Sequence, residues 1–147
     1  MAVIRGLLLL LIVGHALADD ERAHVNYMLH CQGCHLPNAE GMEGKVPPMK
    51  DFVGYFLHSE EGRQFLIRVP GVAQSALGDG ELAELMNWLV TTHSAGQLPD
   101  SFEPFSAVEV ATLRMQPVAD PEQTRQRLLE DIASDNAVLR AEIAGSR

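Results

Sequence analysis

The chain has 147 residues, 20 acidic and 11 basic, with a formal charge of −9. That length suits one domain with a modest core plus an appendage, and 46% hydrophobic against 21% charged residues excludes a disordered chain. An acidic balance with scattered Lys and Arg excludes a nucleic-acid surface, and two cysteines are too few for a disulfide scaffold.

Residues 1–18 read as a segment that is not part of the fold. Arg5 supplies one positive charge, Gly6 to Val13 is an apolar run with five consecutive leucines, and Ala16-Leu17-Ala18 precedes the acidic Asp19-Asp20-Glu21. A charged start, a short apolar core and a small-x-small triplet describe a secretory signal peptide cleaved after Ala18. The run is well short of the roughly 20 residues that cross a bilayer, so no membrane span is expected after cleavage. The predicted divisions are 1–18 as signal peptide, 19–92 as first domain and 93–147 as an extension, in a product exported to the periplasm.

Cys31-Gln32-Gly33-Cys34-His35 is a C-x-x-C-H sequence, the attachment pattern for c-type haem. Two thiols three positions apart suit thioether bonds to two vinyl groups on one porphyrin edge. The adjoining His35 then supplies the axial nitrogen to iron. Gly33 is read as the residue that keeps a side chain off the ring. Other readings fit less well. A thioredoxin-like pair belongs to a βαβ context, zinc needs a second pair of ligands, and a disulfide leaves the histidine unexplained. The expected cofactor is therefore one covalent haem c, held by Cys31, Cys34 and His35, with His35 as the metal ligand.

On these residues the chain resembles the class I mono-haem cytochromes c, small exported all-α electron carriers. Ala23 and Tyr27 stand eight and four positions before Cys31, as the family's small and aromatic residues do. Four apart, they share one helical face. Asp79 to Val90 looks like the family's last core helix. Asp79 is read as its N-cap, Leu82, Leu85, Met86 and Leu89 form its apolar stripe, and Trp88 is the aromatic at the helix crossing. Val46-Pro47-Pro48-Met49-Lys50 is similar to the family segment whose proline carbonyl accepts the proton of the axial histidine, which gives that role to Pro47 or Pro48. Between these segments, Asp51 to His58 and Glu60 to Val69 are predicted as two short helices, broken at Pro70-Gly71. The resemblance spans about residues 20 to 92 and implies an all-α, cytochrome c-like domain.

One stretch departs from the family. The segment before the last core helix, where the resemblance implies a methionine as sixth iron ligand, is Val69 to Gly78 and contains neither Met nor His. The sixth ligand is thereby left open among Met49, Met115, Met42, His58, His93 or none. Met86 falls on the core stripe, and Arg63 and Arg68 are read as propionate partners or surface charges.

Beyond Val90, Thr91 to Phe105 reads as an irregular loop. Ser106-Ala107-Val108-Glu109 is a capping-box pattern opening a helix to about Met115, with Phe102, Phe105 and Val108 expected to dock on the core over a haem edge or the distal face. Asp120-Pro121 starts a further helix with Leu128, Leu129, Ile132, Leu139 and Ile143 on one face, able to pack on its own domain, to dimerise or to seat on a partner.

Three functions follow as expectations. The first is single-electron transfer between redox partners, steered by the acidic charge toward a basic docking surface. The second is a haem with an open sixth position, binding ligands or reacting like a peroxidase. The third is a haem subunit of a larger dehydrogenase complex, attached by the final helix.

Overall fold

A computed structural model describes residues 19–145; the expected signal peptide, residues 1–18, lies outside them. The described residues are helical apart from turns and loops, and one isolated bridge joins Met42 to Val46. In chain order, residues 19–30 form α1, Gln32–His35 form α2 and Val53–His58 form a 3-10 helix. Glu60–Arg68 form α3, Pro70–Ala73 α4 and Asp79–His93 α5. A 3-10 turn at Ala95–Gln97 leads to α6 (Ala107–Leu113), α7 (Pro121–Asp135) and α8 (Ala137–Gly145).

The domain is organised by α1 lying against α5. Ala23 and Tyr27, the pair on one helical face, are both buried. Trp88 on α5 meets α1 at His24, stacked at 5.2 Å between ring centroids, and at Tyr27, tilted at 5.6 Å. At the rim Arg22 makes a two-pronged pair with Glu84 at 2.8 and 2.9 Å. The expected stripe of α5 is inside: Leu82, Leu85, Met86 and Leu89 are all buried. Its start differs from the reading. Gly78 is the N-cap and Asp79 the first helical residue, because the Glu81 carboxylate reaches back to accept from the Gly78 N–H at 3.1 Å.

The extension is built onto this domain rather than appended to it. Asn87, a polar residue on the core helix, accepts from the Phe105 N–H at 2.7 Å and donates to its carbonyl at 3.0 Å, so the buried Phe105 is held by its backbone as well as its ring. Arg63 lies 4.1 Å above that ring, donates twice to the Glu109 carboxylate (2.6 and 2.8 Å) and once to the Glu103 carbonyl. Arg68 donates to the Gln116 carbonyl at 2.6 Å. Both arginines therefore fasten α3 to the extension, so neither is a plain surface charge. Val108 is also corrected: it is 77% exposed, since Val110, fully buried, is the side of α6 that faces inward.

The last predicted helix is two. Asn136 leaves the helical region (φ −142, ψ 114) and its side chain accepts from the N–H groups of Val138 and Leu139, ending α7 and capping α8. The apolar face survives the break, with Leu128, Leu129, Ile132, Leu139 and Ile143 buried in the common core. Arg125 lies over the Phe52 ring at 4.8 Å and Arg127 pairs with Glu61 at 2.5 Å.

Arg114, at the end of α6, fixes the short segment before α5. It donates to the carbonyls of Ala73 (3.0 Å), Leu77 (2.9 Å) and Ser75, and pairs with Asp79 at 2.9 Å. Charge-assisted bonds of this kind, on a largely sheltered side chain, are the strong ones. Arg114→Ala is expected to cost about 2–4 kcal/mol in denaturant unfolding and to raise amide exchange across residues 73–79 more than elsewhere in the domain.

Candidate functional site

The three predicted site residues come together because one turn of helix carries them. The Cys31 N–H donates to the Tyr27 carbonyl at 2.9 Å, ending α1, and the Cys31 carbonyl then accepts from the N–H groups of Cys34 (3.1 Å) and His35 (3.0 Å). Both cysteines are free thiols; Cys31 is half-buried and Cys34 exposed. Burial, with Cys34 nearby, pushes the Cys31 thiol up to about 11. Gly33 has an open surround, nothing lying within 4 Å of where a Cβ would stand, so the turn itself does not demand glycine.

Directly after His35 the chain reverses. Leu36 has φ 64 and ψ 168, a conformation that side chains other than glycine rarely adopt, and Ala39 (φ 61) and Asp51 (φ 52) are also left-handed. The loop returns under the histidine. Gly41 donates to the His35 carbonyl at 3.1 Å, Met42 and Val46 exchange two backbone bonds, and the Ala39 carbonyl accepts from both Met49 and Lys50 at 2.9 Å. Gly41 is held tightly there: at φ 72, an added Cβ would run into the Val46 carbonyl oxygen and stand 2.8 Å from the Pro47 carbonyl.

This loop sets the state of the imidazole. His35 Nδ1 is buried without a partner at full hydrogen-bonding geometry, while the Pro47 carbonyl lies near enough to raise the ring's pKa against the burial that lowers it. Burial is the larger effect, so the net shift is downward, favouring the neutral form that binds a metal. Of the two prolines, Pro47 is the one whose carbonyl lies close to the ring. Nε2, across the ring, is left for a ligand, and the half-buried Cys31 and exposed Cys34 stand one turn away. This donor set fits a covalently held haem with His35 as axial ligand. It does not fit a bare ion, because among the described residues no group of three or more His, Cys, Asp or Glu gathers to hold one.

The sixth-ligand candidates are scattered. Met42 and Met49 belong to the loop that carries Pro47, Met42 bonded to Val46 and Met49 to Ala39 through the backbone. His93 is tied to that same loop, its carbonyl accepting from the Asp51 N–H at 2.7 Å, with its buried Nε2 unpartnered and its ring against Tyr27 and Trp88. His58 Nε2 lies 3.0 Å from the Gln97 carbonyl, and Met115 is 78% exposed.

Two contributors escaped the sequence reading. The Tyr27 hydroxyl donates to the Leu36 carbonyl at 2.6 Å, and Arg114 grips the segment before α5. The clue to the first was a tyrosine where packing alone is served by phenylalanine.

No protein-family model matches the chain. It is similar to a Cytochrome c-552 of Thermus thermophilus, 33% identical over 123 residues that cover 71% of this chain and 82% of the relative. A second Cytochrome c-552 from the same species is 33% identical over 102 residues, covering 57% of this chain and 78% of that one.

Two results are expected from the site's geometry. In haem-free protein, iodoacetamide near neutral pH modifies Cys34 well before Cys31, as peptide mass mapping of a time course would record. Gly41→Ala lowers unfolding stability by about 3 kcal/mol or more through strain and collision. Gly44→Ala, also at positive φ but in open space, costs only about 1 kcal/mol.

Proposed function

Since the chain belongs to the c-type cytochromes, a family of haem electron carriers, we propose that it is an exported mono-haem member whose single haem c is bonded to Cys31 and Cys34 and ligated by His35. The observation that carries this reading is the single turn that carries both thiols and an imidazole whose Nδ1 is buried, with the Pro47 carbonyl close to the ring. The haem would supply the one-electron iron couple, while potential and partner geometry are the protein's contribution. His35 would donate electron density to the iron, tuned by the Pro47 carbonyl close to its ring. Exposed Cys34 lies on the outward side of the turn, where an electron would pass. The net charge of −9 suits a partner with a basic docking surface, at rates that fall as salt rises. Among the described residues no helix is long and apolar enough to cross a membrane, which suits a periplasmic carrier.

A second reading is favoured by the segment before α5. Val69–Gly78 has no Met or His, is occupied by the short helix α4, and is pinned by Arg114. A haem here would then keep an open sixth position that admits a small ligand. Attachment to a larger dehydrogenase through the last helix has less support, because the apolar face of α7 and α8 is already buried within the chain.

The test is intact-mass and optical analysis of protein matured in a host competent for haem attachment. The expected product exceeds the bare chain by one haem, shows a Soret band, and is reduced reversibly by one electron. Cys31→Ala with Cys34→Ala removes the mass increment, and His35→Ala changes the spectrum. A product of bare-chain mass overturns the proposal. Rapid carbon monoxide binding to reduced protein at neutral pH selects the second reading, and its absence selects the first.

A further inference from the structure

Tyr27 touches both ends of the C-x-x-C-H turn. Its carbonyl accepts from the Cys31 N–H at 2.9 Å, and its hydroxyl donates to the Leu36 carbonyl at 2.6 Å. The turn from Cys31 to His35 is therefore bracketed by one residue. Leu36, the residue it holds, is the one in the glycine-like region of backbone space, φ 64 and ψ 168. Such a conformation in a leucine costs on the order of 1–3 kcal/mol and persists only where its surroundings enforce it. Leu36 has two further backbone ties, its N–H to the Gln32 carbonyl at 2.9 Å and its carbonyl to the Ala39 N–H at 3.2 Å. The hydroxyl of Tyr27 is the side-chain group among its restraints, and the shortest of these bonds.

We propose that Tyr27 is a positioning residue for His35: its hydroxyl, through the Leu36 carbonyl, holds the peptide after the histidine left-handed and so aims the imidazole. This inference rests on the reading of His35 as the axial ligand. The direction of the chain after His35 decides where the return loop runs, and that loop carries Gly41 to the His35 carbonyl and brings the Pro47 carbonyl close to the ring. Releasing Leu36 lets the loop relax, and the ring loses its fixed orientation about the bond to iron.

Tyr27 is built for this task. It is 0% exposed and wedged between Trp88 (5.6 Å) and His93 (5.7 Å), so the ring cannot swing the hydroxyl away. Burial pushes its hydroxyl up to about 12, and it remains a donor across the working range of pH.

The test compares haem-loaded Tyr27→Phe, Leu36→Gly and the double variant with the parent protein. Tyr27→Phe keeps the ring and its packing and removes only the hydroxyl. The readout is the set of hyperfine-shifted proton resonances of the His35 ring in the oxidised protein, which report imidazole orientation; melting temperature is recorded beside it. The expected result is a shift of those resonances in Tyr27→Phe that Leu36→Gly restores toward the parent in the double variant, because glycine adopts the left-handed peptide without help. Unchanged resonances, with or without a lower melting temperature, overturn the inference, and so does a shift that Leu36→Gly leaves in place. Should Tyr27→Phe fail to take up haem, recovery of loading in the double variant supports the inference and continued failure overturns it. Parent protein that carries no attached haem would instead defeat the underlying reading of the site.

Discussion

The site depends on one carbonyl group. The Cys31 oxygen accepts from both Cys34 and His35, and that pair of bonds converts a five-residue string into a single turn on which two thiols and an imidazole are neighbours. A turn this short has no stability of its own, because nucleating a helix fixes several dihedrals for little return. It is stable here because α1, of which it is the continuation, is pressed onto α5 through Ala23, Tyr27 and Trp88. The motif is thus supported by an aromatic packing contact between Tyr27 and Trp88, 61 residues apart in the chain.

Much of this is legible in the sequence, for physical reasons that differ from residue to residue. Cys31, Cys34 and His35 announce themselves by spacing, since C-x-x-C-H is a pattern whose three groups fall on one turn of helix. The Leu82–Leu89 stripe and the Ser106–Glu109 box are legible because helices have a fixed period and fixed cap chemistry. What lies hidden is of a different kind. Leu36 has an ordinary identity and an unusual backbone, so nothing in its side chain discloses the conformation. Asn136 reads as one more polar position on a long amphipathic helix, and its preference for local backbone bonding splits that helix in two. The roles of Arg63, Arg68 and Arg114 are hidden because their acceptors are mostly backbone carbonyls tens of residues away, and carbonyls have no sequence signature.

The membership in the c-type cytochromes and the departure from the family's pattern come from adjacent parts of one small domain. The proximal half, α1 through the Pro47 loop, keeps the family's residues at the family's places. The segment before α5 does not, and there a short helix and an arginine clamp stand where the resemblance implies a ligand-bearing loop. The two halves answer to different demands: one must grip the cofactor, the other must decide what else reaches the metal.

The clamp also has a bearing on the order of assembly. Arg114 lies 37 to 41 residues beyond the carbonyls it binds. A chain that emerges from its amino end presents Ala73, Ser75 and Leu77 before their partner exists, so this segment is fastened only once α6 has been made. The carboxy-terminal third of the chain thus completes a wall that the earlier residues cannot close by themselves.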